Sequence, residues 1–119
     1  MTLEECYTSL EGDYKSVVTR LTSERLVQKF VFKFLDDPSH DNLHKSIESG
    51  NYDEAFRAAH TIKGVCQNLS FDKLYKSSNS LAEVLRSGVW NDEYNDIVEQ
   101  LDKDYEQTVA AIRAFKAEN

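Results

Sequence analysis

The sequence predicts an all-α fold, an up-and-down four-helix bundle with short accessory N-terminal helices. Apolar residues recur every three or four positions along most of the 119-residue chain, and no stretch alternates apolar and polar residues as a strand would. Turn sequences such as "DDPS", "ESGN" and "RSGVWND" separate the apolar stripes, and connections this short place neighbouring helices antiparallel. A chain of this length with 40% hydrophobic residues is expected to form a single domain, residues 1–119.

The N-terminal half should contain the accessory helices and the first helices of the bundle. We expect accessory helices in residues 1–22 and the helical bundle in residues 23–117. The first main helix lies in "SERLVQKFVFKFL" and ends at "DDPS". Asp37 is expected to cap a short helix that has Pro38 at its first position. Gly50 should end that short helix in the left-handed conformation.

Three longer helices follow. Asn51 is predicted to be the N-cap of the next one, with Glu54 completing a capping-box pattern, and this helix should reach about Leu69. A further helix is predicted in "FDKLYKSSNSLAEVL". The last helix is the longest, because its apolar stripe persists for about six turns. The stripe consists of Tyr94, Ile97, Val98, Leu101, Tyr105, Val109, Ile112 and Phe115.

The acidic composition excludes several classes of partner. The formal charge is -7 and the pI is near 4.9, whereas nucleic acids and anionic membrane surfaces select basic proteins. We therefore expect no nucleic-acid partner and no membrane partner. The N-terminus "MTLEECYTSLEGDY" lacks the basic and then apolar segments of a signal peptide, and the two cysteines form no C-x-x-C pair. These features predict a cytoplasmic protein, and nothing in the sequence demands a dimer, so we expect a monomer.

The stretch "AAHTIKGVCQNLS" places a histidine on the polar side of a helix. At about 100° per residue, the apolar side of this helix consists of Ala55, Ala58, Ala59, Ile62, Val65, Cys66 and Leu69. His60 falls roughly opposite the centre of that side and is expected to lie in solvent, with Lys63, Gly64 and Gln67 beside it. A glycine inside a helix costs about 1 kcal/mol relative to alanine, so its small size should serve a purpose.

This arrangement suits a phosphoryl group. A neutral imidazole nitrogen of His60 is a competent nucleophile near neutral pH, Lys63 can offset charge on phosphoryl oxygens, and Gly64 leaves room for the group and for a partner. Basic residues outnumber acidic ones between positions 55 and 82. The local charge therefore predicts an acidic partner surface.

The motif "AHTIKGVCQNL" closely resembles the signature of histidine-containing phosphotransfer (HPt) domains, which reads histidine, two residues, lysine, glycine and later an asparagine-leucine pair. The segments "FLDD", "NLHKSIESGNYDEAFRAA" and "LYKSSNSLAEVLRSG" occur in the order expected for this family. The resemblance implies a four-helix bundle in which His60 is the phosphoacceptor, Lys63 the charge-stabilising neighbour and Gly64 the residue that provides steric access. Many members have glycine after the asparagine-leucine pair, where this chain has Ser70.

The function implied by this resemblance is that of a phosphocarrier in two-component signalling. His60 would accept a phosphoryl group from a receiver-domain aspartate or a histidine-kinase relay and pass it to another receiver aspartate. The partners would be response-regulator receiver domains, a hybrid histidine kinase, or both. No motif for nucleotide binding is present, so the chain is expected to be a transfer intermediate and not a kinase, with no cofactor of its own and with magnesium supplied by the partner receiver domain.

An alternative function belongs to a different class. A helical adaptor could bind and regulate a receiver domain or histidine kinase without carrying phosphate, and such an adaptor should tolerate glutamine at position 60. In either case we expect Phe56 and Gln67 to form part of the partner-docking surface, because Phe56 lies near the His60 side of its helix.

Two other groups of residues are candidate sites. His40 and His44 are one helical turn apart and might share a metal with Asp41 or Asp37, but such pairs on a polar face are mostly solvated, so no metal site is predicted. Cys66 belongs to the apolar side of its helix and is interpreted as a small core residue.

Overall fold

The computed structural model describes all residues from 1 to 119 and contains seven α-helices and no strand. The helices are α1 (Leu3–Leu10), α2 (Tyr14–Leu21), α3 (Glu24–Phe34), α4 (Ser39–Glu48), α5 (Tyr52–Leu69), α6 (Asp72–Leu85) and α7 (Tyr94–Ala117). α5 packs on α4 and α6, and α6 packs on α7. The predicted all-α bundle with short N-terminal helices is therefore confirmed.

The two N-terminal helices share the core of the bundle. α1 packs along α7 and is opened by a capping box between Thr2 and Glu5. Five of the 25 buried residues in the apolar core come from these helices, namely Leu3, Cys6, Tyr7, Leu10 and Val17. α1 and α2 thus add buried apolar surface to the bundle, which is the dominant favourable contribution to folding.

The helix boundaries follow the capping residues closely. The side chain of Asn51 accepts a hydrogen bond from the backbone N–H of Glu54 at 3.2 Å, and Gly50 has a φ of 74°. The N-cap and the left-handed glycine agree with the predictions for this turn. The predicted capping box is not completed, because the Glu54 carboxylate pairs with Arg57 and does not accept from the backbone N–H of Asn51. α4 begins at Ser39, one residue later than predicted, because Pro38 occupies the cap position. Asp37 still acts as a cap, since its carboxylate accepts a hydrogen bond from the backbone N–H of Ser39 at 2.8 Å.

The C-terminal end of α5 is enclosed by the N-terminal helices. Ser70, which follows α5, is buried and has a φ of 55°, a left-handed conformation that usually favours glycine. One guanidinium nitrogen of Arg20 donates to the carbonyls of Gln67 and Asn68 at 3.2 and 2.8 Å and to the Ser70 hydroxyl at 2.8 Å. Arg20 therefore satisfies carbonyl groups that the end of a helix leaves without partners.

The turn between α1 and α2 completes this enclosure. The Tyr7 hydroxyl donates to the carbonyl of Leu69 at 2.8 Å, and the backbone N–H of Asp13 donates to the carbonyl of Ser70 at 2.9 Å. A Cβ atom at Gly12 would lie 2.6 Å from the same Ser70 carbonyl oxygen. Only glycine fits between these two turns.

An aromatic stack covers the opposite end of α5. The ring of Trp90, in the connection between α6 and α7, stacks on Tyr52 with centroids 5.3 Å apart and meets Tyr94 edge-on at 5.5 Å. Contacts therefore hold α5 at both ends, and side chains in the middle of one face remain exposed to solvent. None of the seven helices is both long and apolar enough to cross a membrane.

Candidate functional site

The middle of α5 presents His60 to solvent, as the helical wheel predicts. His60, Gly64 and Gln67 are exposed and Lys63 is half-buried. The opposite side of the helix is buried through Ala55, Ala58, Ala59, Ile62, Cys66 and Leu69. Residues three, four and seven positions apart share one face of a helix, so these four side chains form one continuous surface. We call His60, Lys63, Gly64 and Gln67 the histidine face.

Phe56 positions the imidazole ring of His60. The two rings stack with centroids 5.7 Å apart and an interplanar angle of 27°. Phe56 is half-buried, and the guanidinium carbon of Arg86 lies 5.3 Å from its ring centroid. Such cation–π contacts are worth about 0.5–1 kcal/mol at exposed sites. The stack restricts the orientations of an imidazole that is otherwise in solvent.

A charged pair at the C-terminal end of α6 borders the histidine face. Arg86 donates a hydrogen bond to the Glu83 carboxylate at 2.9 Å. The pKa of Glu83 is lowered, first by this hydrogen bond and the charge of Arg86, and further by the charges of Lys63 and His60. Arg86 itself lies over the ring of Phe56, so the pair lies beside the histidine face. Glu83 and Arg86 are thus parts of the site that the sequence did not place there.

Gly64 leaves open space beside His60. A Cβ atom built on Gly64 would meet no heavy atom within 4 Å, so the packing of this chain does not require glycine at this position. Lys63 forms no ion pair within the chain, so its ammonium group is available to an incoming anion. A phosphoryl group on the imidazole would find both space and a positive charge next to it.

The positive charge around the site is more limited than the sequence indicates. Arg57 pairs with Glu54 on the same helix. Lys73 pairs with Glu11 at 2.8 Å and also donates to the side chain of Gln107 at 2.9 Å. Lys63 therefore supplies the unpaired charge on the histidine face itself.

The two cysteines belong to the core. Cys66 and Cys6 are both fully buried and unpaired. Burial raises the pKa of the Cys66 thiol, and it raises the pKa of the Cys6 thiol to about 11. A raised pKa keeps a thiol protonated and unreactive at neutral pH. The interpretation of Cys66 as a core residue is confirmed.

The histidine pair on α4 has a different partner from those considered in the sequence. Asp41 forms an ion pair with Lys45 at 2.9 Å, and Asp37 caps α4. His40 and His44 instead both contact Asp102 of α7, about 60 positions away in the chain. Spacing along one helix gives no information about this third residue.

Comparisons with known proteins agree with the geometry of the site. The family model described as "Hpt domain" matches residues 26–112, which is most of the chain and includes the whole histidine face. No curated protein and no solved structure matched the chain. Because this match covers most of the chain, and α5 presents its exposed histidine next to a lysine without an ion-pair partner, the chain belongs to the Hpt domain family.

Proposed function

We propose that this protein is a histidine phosphocarrier of a two-component phosphorelay, with His60 as the phosphoacceptor. The family implies histidine phosphotransfer in such relays. The assignment to His60 rests on its exposure on the histidine face, next to a glycine with open space around it. His40 and His44 both contact Asp102, and the neighbouring Lys45 is paired with Asp41.

The reaction that this arrangement supports is an in-line displacement at phosphorus. The lone pair on Nε2 of His60 attacks the phosphorus of a partner's aspartyl phosphate, forming the N–P bond. The P–O bond to the aspartate breaks at the same time, and the aspartate leaves as a carboxylate that keeps the electron pair. Lys63 offsets charge on the phosphoryl oxygens, while stacking on Phe56 keeps the imidazole oriented.

The partner completes the site. We infer that response-regulator receiver domains, and in a relay a hybrid histidine kinase, dock on the histidine face. Gly64 provides steric access. Phe56 lies one turn before His60, and Gln67 is the last residue of the histidine face, so both can contact the partner. The receiver domain supplies the magnesium for transfer, and no nucleotide is bound by this chain. The cytoplasmic location and the monomeric state stay predictions.

The test is transfer from a receiver domain phosphorylated on its aspartate, followed by mass spectrometry at neutral or alkaline pH, which preserves phosphohistidine. We expect phosphate on His60 in the wild-type protein and none on His60→Gln. His44→Gln is the matched control, because it removes another histidine from the surface and should leave transfer unchanged.

The alternative adaptor function is distinguished by the same experiment. Binding of the His60→Gln protein to the receiver domain should be close to that of the wild type, since the fold and the other residues of the docking surface are retained. Binding to a receiver without any phosphate transfer, by wild type as well as by His60→Gln, would contradict the carrier function and support an adaptor.

A further inference from the structure

A side-chain cluster outside the histidine face joins α4 to α7. Nε2 of His40 and Nε2 of His44 each lie 2.7 Å from Oδ1 of Asp102. All three of these atoms lie within 4.8 Å of one another. The histidines occupy positions four apart on α4, which places them on the same face of the helix. The cluster has a donor set that transition metals accept, and it is separate from the site proposed for phosphotransfer.

We propose that His40, His44 and Asp102 form a zinc-binding site. Two imidazole nitrogens and one carboxylate oxygen are ordinary zinc ligands, with bonds of about 2.0–2.2 Å and tetrahedral geometry. Tetrahedral bonds of this length place neighbouring ligand atoms roughly 3.3 Å apart. Each nitrogen would therefore have to move away from the carboxylate oxygen by about 0.6 Å, a shift within the reach of side-chain rotation. Water would take the fourth position.

The surrounding residues hold one ligand in place in advance. The His40 ring stacks on Tyr105 with centroids 3.8 Å apart and planes 8° from parallel, and its side chain is only 18% exposed. Tyr105 itself contacts Phe34 of the core, with centroids 5.9 Å apart. Because His40 is already ordered, metal binding would immobilise little beyond the His44 side chain.

The nearby cations do not compete for the carboxylate. Lys45 pairs with Asp41 at 2.9 Å, and Lys103 pairs with Glu99 at 3.5 Å. Asp102 therefore has the two histidines as its ion-pairing partners, and both are metal ligands. The side chains of His44 and Asp102 are 36% and 34% exposed, so a hydrated ion can reach the cluster from solvent.

A bound zinc ion would link two helices that are far apart in the chain. α4 packs mainly on α5, whereas Asp102 lies on α7, which packs on α6 and α1. Crosslinking α4 to α7 would stabilise the folded state, because the three ligands come together only there. The zinc site does not depend on the proposed phosphotransfer, so either can fail without the other.

The test is calorimetric titration of chelator-treated protein with Zn²⁺, together with melting temperatures measured with and without the ion. We expect one zinc per chain and a higher melting temperature for the wild type. Asp102→Asn and His44→Gln should each weaken binding by about tenfold or more. Asp96→Asn, which removes an exposed acid of α7, and His60→Gln should bind zinc as the wild type does. Melting temperatures in chelator show whether each variant remains folded.

NMR of the wild-type protein provides a readout that needs no variant. Zinc should shift the imidazole resonances of His40 and His44 and leave those of His60 in place. Absence of zinc binding by the wild type would overturn the proposal and leave the cluster as a hydrogen-bonded contact between helices. Binding that His60→Gln abolishes and Asp102→Asn retains would also overturn it, because the ion would then occupy the histidine face.

Discussion

The middle and the C-terminal end of α5 are built in opposite ways. In the middle, His60 and Gly64 face solvent, and a Cβ atom at Gly64 would touch nothing. At the end, Ser70 is buried, Arg20 caps the last carbonyls, and a Cβ atom at Gly12 would overlap the Ser70 backbone. Glycine therefore occurs at these two positions for different reasons. Gly64 leaves open space for a partner, whereas Gly12 is required because the chain itself leaves no space for a side chain.

The contrast predicts that substitutions at the enclosed end change stability and that substitutions on the open face change function. A free energy of unfolding and a rate of phosphotransfer separate the two effects. Residues that serve a partner can be replaced at little cost to folding, because their contacts form only in the complex.

The largest change in stability is expected for Gly12→Ala. The added Cβ would lie 2.6 Å from the carbonyl oxygen of Ser70 and 2.8 Å from side-chain atoms of Tyr7 and Leu10, so backbone must move. Overpacking of this kind costs about 3 kcal/mol. Urea denaturation should show this loss, and transfer per folded molecule should stay at the wild-type rate. A loss below about 0.5 kcal/mol, the range of ordinary surface substitutions, would contradict the enclosed arrangement of the two turns.

Arg20→Met should have the next largest effect. The substitution keeps most of the aliphatic chain but removes hydrogen bonds to Gln67, Asn68 and Ser70. Because Arg20 is itself exposed, we expect the loss to be about 1–2 kcal/mol. Arg25→Met is the matched control: that arginine is exposed and forms no salt bridge, so its replacement should stay within about 0.5 kcal/mol. Equal losses for the two variants would show that Arg20 does not cap α5.

Gly64→Ala should change function and stability in opposite directions. The methyl group meets no atom of this chain, and alanine favours the helix interior over glycine by about 1 kcal/mol, so the variant should be more stable. The same methyl group occupies the space beside His60 that a docking receiver domain needs, so transfer should slow by about tenfold, which corresponds to about 1.4 kcal/mol of the barrier. A variant that is more stable and transfers at the wild-type rate would show that Gly64 does not provide steric access.

The helical pattern was sufficient for the orientation of α5, but not for what surrounds it. The face of α5 on which His60 and Lys63 lie follows from the helical repeat of 3.6 residues per turn, which can be applied to the sequence alone. The contact of Arg86 with Phe56 can be predicted from the connection between α5 and α6. The two helices are antiparallel and meet near Ser70, so residues at equal distances from this turn lie side by side, which pairs Phe56 with about position 85. That estimate agrees with the contact between Phe56 and Arg86.

The contacts of Arg20 and Asp102 could not be predicted from helical periodicity. Arg20 reaches Ser70 across 50 positions, and Asp102 reaches His44 across 58. Both contacts depend on how separate helices pack against each other, and helical periodicity leaves that packing undetermined. The sequence shows that Ser70 replaces the glycine common in the family, and only the folded chain shows the arginine that holds it.

Ser70→Gly should have the smallest effect on stability, and it tests most directly whether Arg20 and Ser70 act together at the end of α5. Glycine relieves a left-handed conformation that costs a side chain roughly 1 kcal/mol, but it removes the hydroxyl that accepts from Arg20 at 2.8 Å, worth about 1 kcal/mol. In the wild-type background these contributions should nearly cancel. In the Arg20→Met background the hydroxyl has already lost this donor, so the same substitution should stabilise the protein by about 1 kcal/mol. Equal effects of Ser70→Gly in both backgrounds would mean that the two residues are not coupled, and the left-handed serine would then need another source of stability.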